Sequence, residues 1–342
     1  MTSSTERQPR ILLTTLGHYH PENNITNDFF DRLEIGSEGQ WVAERTGIRS
    51  RRSVLPPDDL VSLRQGTLTL KDLRAQGRLL SLAEMAYRAW EMTQRRDPTP
   101  FKKVDAAICG TSIPDYDIPA NACFIAARLG LDCVAFDANS ACSSFVLDLH
   151  VARSMLRTAV NQRIAIFNPE RYSIRLNYAD RKTCVLFGDG SAAGILESAT
   201  ATTAGLELLD TVIESDPARY DLVKIPYEEC FDQNGAAVQK FAITKTVEVT
   251  RKVLERNGLT PSDCTYFIGH QANLRMVTSA AEKLGLHGAK HLYNVDEFGN
   301  QGSAGAPSVL SMNWERFKPG DIIVLAVVGS GLTWGAALFR RV

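Results

Sequence analysis

Residues 133–145 read CVAFDANSACSSF, and this stretch decides the fold. Val134–Phe136 is apolar and strand-like, and small and polar residues follow it. Phe145, Leu149, Ala152 and Leu156 then recur at helical spacing. A strand therefore turns into a helix, with Cys142 at the turn. Unpaired backbone N–H groups and the positive end of the helix dipole favour thiolate over thiol there. The plainer reading is a core cysteine at a packed turn.

Working outward, strand-like runs recur at Ile11–Leu16, Ala106–Cys109, Arg163–Phe167, Thr183–Phe187, Ala192–Glu197, Tyr266–Ile268, His291–Asn294, Ile322–Val328 and Gly335–Phe339. Helical patterns lie between them, as with Leu82, Ala86 and Ala89. This alternation gives an α/β class. The chain also repeats itself. AAICGTS, CVAFDANSACSSF and CVLFGDGSAAGILE are followed, in the same order, by TYFIGHQAN, HLYNVDEFGNQGSAG and IIVLAVVGSGLTWGAALF. Two similar βαβαβ-type halves are predicted, residues 1–200 and 201–342, with their turns at one end of the sheets. Residues 53–77 are polar, contain Pro-Pro and break the rhythm, so they read as a surface lid or loop.

Net charge is −1, which gives no global field for nucleic acid or membrane, so basic residues have to act as a local patch. A 44% hydrophobic share is ordinary for a soluble globular core. The seven cysteines are odd in number and lack C-x-x-C spacing, which argues against a disulfide framework or a zinc site. MTSSTERQPR lacks the apolar run of a signal peptide, and nothing approaches the ~18 apolar residues of a membrane span. A cytoplasmic protein is expected.

Three further motifs carry chemistry. His270 follows TYFI in GHQAN, where it either caps the next helix or donates a hydrogen bond and moves a proton. Asn300, in EFGNQGSAG, is either turn chemistry or a fixed amide donor. Ser330, in GSGLTWG after an apolar strand, lies in a hairpin or offers a backbone N–H to an oxyanion hole. No Lys-Ser/Thr follows, so this is not a phosphate loop.

The order ACSSF, HQAN, GNQGSAG, GSGLTWG resembles the β-ketoacyl-[acyl-carrier-protein] synthase III family, over nearly the whole chain. The resemblance implies a thiolase-like αβαβα layered fold and a homodimer. It places the family's catalytic Cys, His and Asn on Cys142, His270 and Asn300, and the oxyanion hole on the N–H groups of Cys142 and Ser330. Contacts to coenzyme A and carrier protein fall on Trp41, Arg45, Asn273 and Arg275, with Lys240 and Lys283 near the tunnel mouth. Ser330 stands where the family has a glycine, and Gln239 where it has an aromatic beside the pantetheine channel. Ile118 matches a position that caps the acyl pocket across the dimer, where some relatives carry a glutamate.

The implied activity is two-step condensation. Cys142 takes an acyl group from a coenzyme A or carrier-protein thioester, and a second, malonyl- or β-ketoacyl-, carrier-protein thioester then attacks it. No metal or redox cofactor is called for. Natural-product or polyketide biosynthesis is one setting and housekeeping fatty-acid initiation the alternative. A non-catalytic partner subunit is a third reading, disfavoured by the intact Cys142, His270 and Asn300.

Overall fold

The computed structural model describes residues 9–36, 38–96, 103–158, 160–199 and 203–342. Most of the amino-terminal stretch read for a signal peptide, residues 1–8, lies outside the described residues. Ten strands form one mixed sheet. They are β1 (Arg10–Tyr19), β2 (Ala106–Cys109), β3 (Val134–Asp137), β4 (Arg163–Glu170), β5 (Gly190–Ala199), β6 (Leu206–Ser215), β7 (Tyr266–Gly269), β8 (His291–Leu292), β9 (Ile322–Gly329) and β10 (Thr333–Arg341). Their order across the sheet is β8-β7-β9-β10-β6-β1-β5-β4-β2-β3. The order is mirrored about the β6–β1 seam, each strand of the first half having its counterpart five strands later. The seam is narrow, pairing Leu12 with Glu207 and Leu13 with Leu206.

The main helices repeat in the same way. The first half contributes α1 (Leu82–Arg96), α2 (Asn121–Leu129) and α3 (Ser144–Arg157). The second contributes α4 (Gly235–Glu255), α5 (Leu274–Leu284) and α6 (Gly305–Met312). A 3₁₀ turn leads into each inner helix: Ala141–Ser143 before α3 and Gly302–Ala304 before α6.

Strand periodicity sorts the side chains into layers. On β4, Ile164 and Ile166 join a core shared with α3 and α6, while Ala165 and Phe167 face α1 and α2. On β9, Ile323, Leu325 and Val327 face that same inner core, while Val324, Ala326 and Val328 pack on α4 and α5. The result is the duplicated, five-layer α/β arrangement the sequence implied. Both faces of the central strands are covered, which is why they read as unbroken apolar runs. Each fully buried Leu or Ile contributes about 1.5–3 kcal/mol of transfer free energy.

Three expectations are corrected. Thr183–Phe187 is a series of turns, with Phe187 bridged to Asn300. Its carbonyls are used elsewhere: Val185 O accepts from Arg51 Nη2 at 2.6 Å and Leu186 O from Asn300 N at 2.8 Å. Only His291 and Leu292 of His291–Asn294 are extended. Residues 53–77 are not an irregular loop but hold two helices, Pro57–Gln65 and Leu70–Ala75. Pro57 sits in the first turn, where its missing N–H costs nothing, and Thr69 with Asp72 forms a capping box. Val54, Leu55, Leu60 and Leu73 are buried in a cluster with Phe30, Tyr172, Phe187 and Phe231.

Candidate active site

The turn after β3 is built by short polar side chains. Asp137 accepts the N–H groups of Asn121 and Ala122 at 2.8 and 2.9 Å, pinning the strand end to the start of α2. Ala141 adopts a left-handed φ of 46°, and Cys142 follows in the 3₁₀ turn. Ser144 clamps this elbow, donating to Ala141 O at 2.7 Å and accepting from Ser140 N at 2.8 Å. Gly329 ends β9 directly against it. A Cβ there would stand 2.7 Å from Ser140 O and 2.8 Å from Ser143 N. That contact sets Ser330 beside the cysteine turn.

His270 leaves the end of β7, and Gln271 buttresses it from behind. The Gln271 amide donates to Gly269 O at 2.7 Å and accepts from Asn294 N and Val295 N. Asn300 is held on both sides of its backbone, donating to Leu186 O and accepting from Gly188 N. Cys142, His270, Asn300 and Ser330 all line one cavity of about 400 Å³, together with Tyr172 and Phe187.

Burial sets the protonation states. It pushes the Cys142 thiol up to about 12, and the nearby Glu170 carboxylate adds to this. The helix-terminus effect expected from the sequence therefore works against a larger opposing one. Burial also holds His270 down at about 4, so its imidazole is neutral at physiological pH. Burial raises Glu170 to about 7 even though Ser303 and Ser112 donate to it.

Of the other residues singled out, Gln239 and Asn273 line the cavity. Asn273 also caps α5, accepting from Met276 N at 3.0 Å. Trp41, Arg45, Lys240, Arg275, Lys283 and Ile118 are not among the residues of its wall. Trp41 is half-buried in the helix Gly39–Thr46, with the Arg181 guanidinium 5.1 Å from its ring centre. Arg45 is exposed on that helix, Lys240 on α4, and Arg275 and Lys283 on α5. The helix 39–46 and α4 both pack against α5, so the four cations sit on adjoining elements. Ile118 is 85% exposed.

The sequence reading missed Tyr172, Ser112, Lys182 and Lys224 on the cavity wall, and Glu170 behind it. Glu170 carried a signal, since it ends the apolar run IAIFNPE as a carboxylate in a buried strand. Tyr172 carried none, being one aromatic among nine tyrosines.

Two family models match the chain, both of 3-oxoacyl-[acyl-carrier-protein] synthase III. One matches residues 136–217 and the other, its C-terminal part, residues 254–341. The chain is 32% identical over 345 residues to β-ketoacyl-[acyl-carrier-protein] synthase III of Aliarcobacter butzleri (strain RM4018), covering 95% of this chain and 96% of the relative. The chain belongs to this synthase III family. It is an acyltransferase of the condensing type. The 3-oxoacyl-[acyl-carrier-protein] synthase III of Aquifex aeolicus VF5 superposes with a TM-score of 0.84 at 28% identity, covering 97% of this chain and 100% of that one. The priming β-ketosynthase of the R1128 polyketide pathway shares the fold, with a TM-score of 0.82 at 23% identity over 99% of each chain. Among the described residues, no helix of this synthase is long and apolar enough to cross a membrane.

Proposed function

We propose that this synthase loads an acyl group from a coenzyme A or carrier-protein thioester onto Cys142 and condenses it with a second carrier-bound thioester. The observation that carries this is the convergence of Cys142, His270, Asn300 and Ser330 on one cavity from four separate turns. In the first step the Cys142 sulfur attacks the thioester carbonyl and the carrier thiol departs. In the second, a malonyl- or β-ketoacyl-carrier thioester enters. For a malonyl group, loss of CO₂ leaves an enolate, and His270 and Asn300 donate hydrogen bonds to its oxygen. A neutral imidazole suits this role, because it donates one N–H without surrendering a full proton. The enolate carbon attacks acyl-Cys142, and the N–H groups of Cys142 and Ser330 hold the tetrahedral oxyanion. No step calls for a metal or redox cofactor.

The exposed cations Arg45, Lys240, Arg275 and Lys283 form the docking patch for an acidic carrier protein or its phosphopantetheine arm. Trp41, Gln239 and Asn273 contact that arm, and Ile118 meets the partner subunit of a cytoplasmic homodimer. Gln239 on the cavity wall, where relatives place an aromatic, favours a carrier-bound donor and hence natural-product synthesis over housekeeping initiation.

Intact-protein mass spectrometry against a panel of acyl-coenzyme A and acyl-carrier thioesters tests this. Mass shifts on Cys142 that favour carrier-bound acyl groups beyond acetyl support it. A clear preference for acetyl-coenzyme A, with efficient malonyl-carrier condensation, returns the enzyme to fatty-acid initiation.

A further inference from the structure

A nucleophile whose thiol is pushed up to about 12 needs a group to take its proton. Neutral His270, held at about 4, is a poor acceptor. The geometry offers another. Cys142 Sγ lies 3.8 Å from Tyr172 Oη. Tyr172 Oη donates to Ser112 Oγ at 2.9 Å, and Ser112 Oγ donates to Glu170 Oε1 at 3.1 Å. A phenol has one proton. Either atom can donate in the Sγ–Oη contact, and when the phenol proton is on Ser112 the Cys142 thiol is the donor. In that arrangement every link points the same way, from sulfur to a buried carboxylate.

We propose that Tyr172, Ser112 and Glu170 form a proton relay that deprotonates Cys142 during acyl loading. As the sulfur attacks, its proton passes to Tyr172 Oη, the Tyr172 proton to Ser112 Oγ, and the Ser112 proton to Glu170 Oε1. The new bond joins Sγ to the acyl carbon, and the bond from that carbon to the carrier sulfur breaks. The departing carrier thiolate takes a proton from water. When the acyl group later leaves Cys142 in condensation, the proton returns from Glu170 along the same path to the freed thiolate. Tyr172 and Ser112 stand on the cavity wall with Cys142, and Glu170 is not among the residues of that wall. Glu170 and Tyr172 are essentially fully buried, and the Tyr172 ring is stacked on Phe187 with centroids 4.5 Å apart. Glu170, raised by burial to about 7, can take up and return a proton near neutral pH, and Ser112 N, Ser303 N and Ser303 Oγ donate to its carboxylate form.

This rests on the reading of Cys142 as the acyl carrier, but its test needs no substrate. The rate of Cys142 alkylation by iodoacetamide is followed at pH 7 by mass spectrometry, with thermal melting as a check on folding. Glu170 as a mere neighbouring charge and Glu170 as a base predict opposite signs. Glu170→Gln removes a negative charge that disfavours the thiolate, so alkylation quickens if charge alone matters. The relay predicts a slowing of ~10²-fold instead, the low end of what a positioned general base contributes. Ser112→Ala leaves the Tyr172 hydroxyl free to hydrogen-bond the sulfur yet cuts the path, and slows alkylation as much. Tyr172→Phe does the same, and the Glu170→Gln/Tyr172→Phe double variant is no slower than either alone. Faster alkylation in Glu170→Gln, an unchanged rate in Ser112→Ala, or additive losses in the double variant each overturn the relay. If Glu170→Gln does not fold, Ser112→Ala decides alone. A relay supported here while no thioester acylates Cys142 refutes the functional reading and leaves the relay standing.

Discussion

The side-chain carbonyl of Asn300 accepts the backbone N–H of Gly302 at 3.0 Å. This fixes which end of the amide meets a substrate, since the oxygen is occupied and the Nδ2 donor is the end left to serve. Asn300→Asp keeps the acceptor and abolishes the donor. Condensation is expected to fall by ~10²–10³-fold, the loss typical of one oxyanion donor. Loading of Cys142, measured separately by mass, is expected to fall far less. Equal losses in both half-reactions refute the assignment.

Gly302 itself is irreplaceable for two reasons. Its φ is +56°, and a Cβ would stand 2.5 Å from the Tyr172 ring and 2.8 Å from Glu170 Oε1. Gly285 shares the first property, with φ +70° and nothing within 4 Å. Gly285→Ala is expected to cost only about 1–2 kcal/mol of backbone strain. Gly302→Ala is expected to lower the melting temperature further and to abolish loading. Equal melting shifts in the two variants contradict the close approach.

Cys142 is expected to be the only cysteine acylated. Cys109 and Cys184 are buried outside the cavity wall, and burial raises both thiols as well. Peptide mapping after incubation with a cognate thioester checks this, and acylation surviving in Cys142→Ala counts against it.

Arg275→Glu is expected to raise KM for a carrier-bound substrate several-fold at low ionic strength, with a melting curve unchanged. The effect shrinks with added salt, because an exposed charge is screened within about 8 Å at physiological ionic strength. A KM indifferent to both the substitution and salt removes the patch from the docking surface.

Burial sets a pH limit on the second half-reaction. A histidine held at about 4 stays neutral from alkaline pH down to that value, whereas a free one begins to charge near 6.5. Condensation from preloaded acyl-enzyme is therefore expected to keep its rate as pH falls from 7 to 5. A drop centred near 6.5 shows that His270 is more solvated than its surroundings indicate.

Most sheet strands were legible because each is a short apolar run that gives way to small or polar residues. Cys142, His270 and Ser330 follow such runs, whereas Asn300 is marked by its motif EFGNQGSAG and the resemblance it helps to carry. That signature is local. What escaped was written in longer-range terms. Leu206–Ser215 alternates as a strand, yet its place beside β10 depends on partners more than a hundred residues away. The helices Pro57–Gln65 and Leu70–Ala75 are too short for periodicity to declare them, and the Pro-Pro that reads as a break is a helix start. Tyr172 and Ser112 meet because β4 and β2 are parallel neighbours, and nothing in either local sequence announces the other.

The two 3₁₀ turns that open α3 and α6 occupy matching places in the repeat. In one copy the middle residue is Cys142. In the other it is Ser303, whose hydroxyl donates to Glu170 at 2.8 Å and lies 3.2 Å from Gly110 O. The turn of the second half thus braces the carboxylate behind the turn of the first. The halves have therefore become dependent on each other while keeping the same outline. The two turns are not interchangeable, because Ala141 brought to position 302 would carry its Cβ into Tyr172 and Glu170.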